Sequence, residues 1–370
     1  MKNKIFLLPL ISLLSLSSCS KVNYEPGSPL IITSIEMIKE YGECTLIQFN
    51  NYDIVVDSGT GEDASHINEV LNNKITDNEI DLLIVTHPHG DHIGGIISGA
   101  LDGFSVKNIV DYGYTFNVSG NEDEIVSSSY VNRYISKRNG WIASGASYTG
   151  IKEQYNKQKI TTIDKENNLS IRWLKNDYYF GQNETFPNSS VAEDNPNITS
   201  VSFVLEYKYW NLIMCGDIDS TYGEASIKEN HAELFNDEKK KVILKANHHA
   251  SSSSLGYNFL EWCHPNLMFV SAALIDSVSA PNNVVIGSGN GQQNHPNPST
   301  IRRMKKTTEN VYWNAINGDI TLSVDGVNDY SMTGAGRHKD YYQKGTTTIS
   351  SRDNEKNITF FSSDFYQYYR

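Results

Sequence analysis

The sequence predicts an α+β fold, and three observations carry that expectation. Short apolar runs of strand length recur between residues 31 and 324, separated by polar turns. Stretches that read as helix lie between some of them, as over residues 64–71, 93–101 and 299–306. Four of the apolar runs end in residue types that bind metal ions. Val55 and Val56 lead into Asp57, and Ile84 and Val85 into a histidine cluster. Met214 and Cys215 lead into Gly216 and Asp217, and Leu244, Lys245 and Ala246 into Asn247, His248 and His249. Strands that finish together bring such residues to one sheet edge, where irregular loops present them.

Taken in order, residues 31–37, 44–49 and 53–56 read as strands, with turns at Tyr41-Gly42 and Asn50-Asn51. A helix follows over 64–71, then strands over 82–85 and 105–110 enclosing a helix over 93–101. Residues 115–190 lose the alternation and become rich in Asn, Ser, Tyr and charge. Helices are expected there near 122–137 and 152–159 among long loops, as a lid or substrate-shaping insertion. Order returns with a hairpin over 200–207 and 210–215, turning at Lys208-Tyr209. Strands over 242–246 and 267–271 and a helix over 299–306 come next. Residues 311–313 and 320–324 are expected to pair around Asn317-Gly318-Asp319. Residues 327–370 are polar and read as a C-terminal extension, either a small β appendage or poorly ordered.

The chemistry is concentrated in Thr86-His87-Pro88-His89-Gly90-Asp91-His92-Ile93-Gly94-Gly95. Neutral imidazoles and a carboxylate suit a borderline divalent ion such as zinc or manganese. His87 and His89 are two apart, so an extended segment points both the same way. Gly90 can re-aim the backbone so that Asp91 and His92 meet a second ion.

The two ends and the composition set the context. Lys2 and Lys4, an apolar core over residues 5–16 and the exit Leu16-Ser17-Ser18-Cys19 have the composition of a secretory signal, too short to span a bilayer. Residues 19–30 read as a tether. Cys44, Cys215 and Cys263 leave an odd count beside Cys19, which argues against a disulfide framework. Cys44 and Cys215 read instead as small buried hydrophobes. The formal net charge of -12 disfavours unspecific adhesion to nucleic acid. The basic runs 239–241 and 302–306 are read as solvated helix faces.

These residues resemble the metallo-β-lactamase fold superfamily, whose mark is a His-x-His-x-Asp-His loop after a buried strand. Within it the chain is most similar to the competence-type (ComEC-like) hydrolases. The likeness rests on Gly42-Glu43-Cys44-Thr45-Leu46-Ile47, Val56-Asp57-Ser58-Gly59, residues 86–95 and 200–206, Gly216-Asp217-Ile218, His248-His249-Ala250-Ser251 and His295-Pro296. The cell-wall phosphorylcholine esterases are similar around Asn247-His248-His249. The resemblance spans residues 31–326 and implies an αββα sandwich of two mixed β-sheets flanked by helices. The exit at Cys19 resembles a lipobox, which implies cleavage after residue 18, lipid on the Cys19 thiol and an exported protein held to a bacterial membrane, facing outward.

Carried over, the resemblance makes His87 and His89 ligands of a first metal, Asp91 and His92 ligands of a second, and Asp217 the bridge. One of His248 and His249 completes the second site, since successive strand residues face opposite ways. Asp57 would orient the loop or the attacking water, and His295 would contact substrate. Many superfamily members place a further histidine between the cluster and the bridging aspartate, whereas this chain has none between His92 and His231. His231 itself is read as a surface residue, and His66, His264 and His338 receive no role. The implied chemistry is hydrolysis by two divalent ions, zinc ahead of manganese, which make water nucleophilic and stabilise charge on a phosphodiester. A protonated His248, His249 or His295 would assist the leaving oxygen, and Ser251 to Ser254 are read as a plain Ser-rich loop. The substrate would be nucleic acid or a phosphorylated cell-surface polymer, with no protein partner. Lactone, thioester or β-lactam hydrolysis, and a non-catalytic ligand-binding lipoprotein on a relic site, are the alternatives.

Overall fold

The computed structural model describes residues 23–38, 42–113, 128–179, 195–272, 295–334, 359–362 and 366. The expected signal segment, Cys19 and His338 lie outside them, as do parts of the insertion and of the C-terminal extension. In chain order the strands are β1 (Leu30–Ser34), β2 (Thr45–Phe49), β3 (Tyr52–Val56), β4 (Glu79–Val85), β5 (Ser105–Asp111), β6 (Ser147–Gly150), β7 (Ile160–Asp164) and β8 (Leu169–Trp173). They continue with β9 (Phe203–Tyr207), β10 (Trp210–Met214), β11 (Lys241–Lys245), β12 (Leu267–Val270), β13 (Val311–Trp313), β14 (Ile320–Val324) and β15 (Ser331–Gly334). The helices are α1 (Ala64–Lys74), α2 (Gly90–Ser98), α3 (Ser128–Ala143), α4 (Ile151–Lys157), α5 (Gly223–Asn230), α6 (Tyr257–Cys263), α7 (Pro298–Thr307) and the single turn α8 (Asn314–Asn317).

Two sheets form among the described residues. One runs β15-β14-β1-β2-β3-β4-β5-β6 and the other β13-β12-β11-β10-β9-β8-β7. Both are mixed: β3 to β6 are parallel to one another, as are β10 to β13, while the remaining pairings are antiparallel. Side-chain alternation builds the layers. Leu82 and Ile84 of β4 and Trp210, Leu212 and Met214 of β10 meet in one apolar layer between the sheets. The opposite face of β4, through Leu83 and Val85, packs on α1 and α2 through Ile67, Leu71, Ile93 and Ile96. The opposite face of β10 and β11, through Ile213, Val242 and Leu244, packs on α5, α6 and α7. Helix, sheet, sheet, helix is the order of layers, which is the expected αββα sandwich.

Two local expectations change. Over its described residues, 128–179, the insertion is not chiefly loops, because β6 extends the first sheet and β7 and β8 extend the second. Leu169, Ile171 and Trp173 alternate into the inter-sheet layer, so the segment is part of the core. The strands over 311–313 and 320–324 do not pair with each other: β13 pairs with β12 and β14 with β1. The turn α8 stands between them and carries the chain across from one sheet to the other. Beyond residue 326, β15 adds an edge strand, and Phe360 packs on Trp313 with ring centroids 5.5 Å apart. Cys44, Cys215 and Cys263 are buried and free. No helix among the described residues is long and apolar enough to cross a membrane.

Candidate metal centre

The parallel strands β3, β4, β10, β11 and β12 all end on one edge of the sandwich, and their following loops converge there. The backbone turns sharply at each end. Asp57 sits at φ 57° and Gly216 at φ 54°. A Cβ on Gly216 would lie 2.8 Å from Thr86 Cβ and 2.9 Å from Ser200 Cβ, so only glycine lets this strand end pass the histidine loop. The Ser200 hydroxyl then accepts the Asp217 N–H at 3.1 Å.

Asp57 is fully buried beneath the histidine loop. One of its oxygens accepts the Thr86 N–H at 2.7 Å, and the other accepts the Thr86 hydroxyl at 2.6 Å and His92 Nδ1 at 2.7 Å. This fixes the His92 tautomer and turns Nε2 outward. Because the Thr86 hydroxyl gives its proton to Asp57, it accepts from His87 Nδ1 at 3.0 Å, which frees His87 Nε2. His249 is oriented the same way, donating Nδ1–H to the Ser271 carbonyl at 2.8 Å. Asp57 therefore orients the loop rather than facing the centre.

Four donor atoms meet above this layer: His92 Nε2, His249 Nε2, and Oδ2 of Asp91 and of Asp217. His249 Nε2 is 3.2 Å from each carboxylate oxygen and 3.3 Å from His92 Nε2, and His92 Nε2 is 3.3 Å from Asp217 and 3.6 Å from Asp91. A divalent cation fits this set. Nitrogen and oxygen ligands at about 2.0–2.1 Å in tetrahedral array stand about 3.3 Å apart. The charges agree with the geometry. Burial opposes a proton on His92 and on His249, yet the carboxylates overcome it. Asp217 chiefly, with Asp57 and Asp91, raises His92 well above its ordinary range, and Asp217 and Asp91 raise His249 to about 9. Burial likewise opposes charge on Asp217, but His249, His92 and His248 hold its carboxyl well below the usual range. Two positive rings against two carboxylates are the balance that a divalent cation would supply.

His87 and His89 form a second, smaller set. His87 Nε2 lies 2.9 Å from His89 Nδ1. Burial depresses both rings, His89 to about 4, so both are neutral imidazoles at neutral pH. Among the described residues no third His, Cys, Asp or Glu joins them in a compact donor group, so the absent histidine has no replacement of those types there.

The two late histidines separate. His249 is wholly buried in the donor set, whereas the His248 side chain keeps 20 % exposure and its Nε2 is 3.8 Å from Asp217 Oδ2. The expected strand alternation is not the reason, since β11 has ended and His248, His249 and Ala250 all take left-handed φ of 47°, 48° and 60°. His295 is buried beside them, its ring 5.2 Å from His248 and 6.2 Å from His249. Burial, with the neighbouring rings, lowers His248 and takes His295 to about 3. Both shifts favour neutral imidazole, whereas His249 holds its proton more tightly.

Other expectations are also corrected. His231 is half-buried rather than on the surface, accepting the Lys175 N–H at 2.6 Å. Arg303 is not on a solvated face: its guanidinium donates to the carbonyls of Leu255, Ser252 and Ser254. Lys241 lies in β11 rather than on a helix. In keeping with a plain Ser-rich loop, the Ser251 and Ser254 hydroxyls are buried and bonded within their own segment. Sequence reasoning missed Thr86 as a tautomer switch, Glu224 beneath the His248 turn, and the buried pair Glu43 and Lys245. The one local signal for the last is a lysine closing the apolar run Val242-Ile243-Leu244.

Residues 39–101 match a family model described as the metallo-beta-lactamase superfamily. No curated protein matches the chain. Among solved structures, the metallo-beta-lactamase fold protein YhfI from Bacillus subtilis is 11 % identical with a TM-score of 0.42, over 80 % of this chain and 99 % of its own. The short form of human tRNase Z is 11 % identical with a TM-score of 0.36, over 76 % and 92 %. A diphosphatase of the PhnP family is 10 % identical with a TM-score of 0.35, over 65 % and 86 %. The matched segment holds the whole histidine loop, and the αββα layers around it are those of the metallo-β-lactamase fold.

Proposed function

We propose that this chain is a dinuclear metal-dependent hydrolase of phosphodiesters, held to the outer face of a bacterial membrane through lipid on Cys19. The observation that carries the reading is the four-donor set of Asp91, His92, Asp217 and His249, brought together from both sheets at tetrahedral spacing. Two divalent cations, when bound, make water nucleophilic at neutral pH and stabilise negative charge on a phosphoryl group. Zinc suits the nitrogen-rich donors best, with manganese second. His92 and His249 bring their Nε2 lone pairs already oriented by Asp57 and by the Ser271 carbonyl, so little reorganisation is needed. His87 and His89 supply only two protein donors, which suits their cation to share a substrate oxygen. His248 and His295 stand side by side, with ring centroids 5.2 Å apart, and their N–H groups would hydrogen-bond a phosphate oxygen or the leaving oxygen as neutral donors. The substrate proposed is nucleic acid or a phosphorylated surface polymer.

The test is hydrolysis of bis-p-nitrophenyl phosphate with zinc or manganese, with and without chelator, beside lactone, thioester and β-lactam substrates. Metal-dependent phosphodiester turnover, lost in Asp217→Ala, is the expected result. Equal rates with chelator, or faster turnover of any other bond, would remove the reading. For the anchor, Cys19→Ser should move the protein from the membrane fraction to the soluble one; unchanged partition would remove that half.

A further inference from the structure

We infer that Lys245 is a positioning residue for Asp217: its ammonium, with Glu43 as counter-ion, sets which carboxylate oxygen faces the His92 and His249 rings. The inference rests on the metal-centre reading above and concerns only residues of this chain. Lys245 closes β11, and Ile243, two residues earlier, packs in the layer between the sheets. By alternation Lys245 enters that layer too, where it is wholly buried. A buried ammonium is costly unless it is paired and hydrogen-bonded. Its acceptors are therefore informative. Nζ forms a close ion pair with Glu43 Oε2, lies 3.4 Å from the Gly216 carbonyl, and is 3.7 Å from Asp217 Oδ1.

Asp217 Oδ1 is buried and accepts no hydrogen bond from the described residues, among which Lys245 faces it at ion-pair distance. The other oxygen, Oδ2, is the one that meets His249 and His92 at 3.2 and 3.3 Å. The backbone at Asp217 is already fixed by the glycine before it and by the Ser200 hydroxyl. What remains free is rotation of the carboxylate about its last bond, a broad and roughly two-fold torsion. Lys245 restrains it by holding Oδ1 inward. Glu43 is held as firmly, its N–H donating to the Asp91 carbonyl at 3.1 Å and its own carbonyl accepting the Gly59 N–H at 2.7 Å. The pair thus links the loop that carries Asp91 to the loop that carries Asp217 from below.

A bare Lys245→Met would leave Glu43 buried and unpaired, and a loss of folding would then be uninformative. The decisive variant is Glu43→Gln with Lys245→Met, which removes both charges. Zinc affinity of the full chain, measured by competition with a chromophoric chelator, is the readout, alongside melting with chelator present. The double variant should fold and bind zinc about 10–100-fold more weakly than wild type, the scale on which groups behind metal ligands act. Glu43→Gln alone keeps Lys245 against Asp217 and should stay within about 3-fold of wild type, well short of the 10–100-fold range. Wild-type affinity in the double variant, or an equal loss in Glu43→Gln alone, would overturn the inference while leaving the metal centre standing. If wild type itself binds no zinc, the metal-centre reading falls and takes this inference with it. Glu43→Gln with Lys245→Gln is the same test with two amides in place of the ion pair, should the methionine variant not fold.

Discussion

His248 and His249 are adjacent in sequence and differ in what grips them. The Ser271 carbonyl takes Nδ1–H of His249 and turns its Nε2 onto two carboxylates, while His248 remains toward the rim. His249→Ala should therefore remove the cation of the four-donor set, cutting bound zinc per chain, whereas His248→Ala should keep zinc and lose turnover. Elemental analysis after gel filtration checks this, and a zinc loss confined to His248→Ala would reverse the assignment. The choice between them was not legible in the sequence, because it depends on a carbonyl at position 271 and on a turn that abandons strand geometry. The histidine loop itself was legible, since its donors are local and their spacing encodes the geometry. Glu43 and Lys245 were not, because each looks unremarkable until strands some two hundred residues apart bring them together.

The turn that carries His248 and His249 is an element under strain, with three consecutive non-glycine residues in left-handed backbone. Each such residue costs on the order of 1–2 kcal/mol, so the surroundings must hold the turn. Glu224, in the first turn of α5 and 1 % exposed, does so by accepting Asn247 Nδ2 at 2.9 Å and the N–H groups of Leu255 and Gly256 at 2.6 and 2.9 Å. Burial raises its carboxyl from 4.5 to about 7 against those three donors. The sign follows: a folded-state pKa above the unfolded value means the folded chain holds the proton more tightly. The contribution is complete below about 4.5 and is lost as pH rises through about 7. Wild type should thus lose melting temperature relative to Glu224→Gln as pH goes from about 5 to about 8; a flat difference would show that Glu224 does not titrate in that window. Elements of this kind resist reading from sequence for a related reason. Strand β7 is half-exposed at a sheet edge, so its apolar signature is weak. Helix α2 starts at Gly90, ahead of its apolar residues, because Asp91 and His92 occupy its first turn.

At the scale of the molecule, the donor set joins two sheets that are otherwise held by the apolar layer and by a few polar ties. Asp91 and His92 follow β4 of the first sheet, whereas Asp217 and His249 follow β10 and β11 of the second. Another tie lies at α8, where buried Asn314 donates to the Ser34 and Gly318 carbonyls and accepts the Ser34 hydroxyl. The alternating apolar runs made both sheets readable, but which strand joined which sheet was not, because α8 reverses the local expectation that neighbouring strands pair. A cation held by both sheets binds the folded chain and not the separated halves, so its binding free energy adds to fold stability. Zinc at 100 times its dissociation constant should add about 2.7 kcal/mol, which for a domain of this size is a rise of several degrees in melting temperature. Removing a donor from either sheet should cancel the rise equally, so Asp91→Ala and Asp217→Ala should each melt at nearly the same temperature with and without zinc. If the zinc-dependent rise survives in one of the two, the cation is held from a single sheet, and the view of the centre as a clasp between the sheets is wrong.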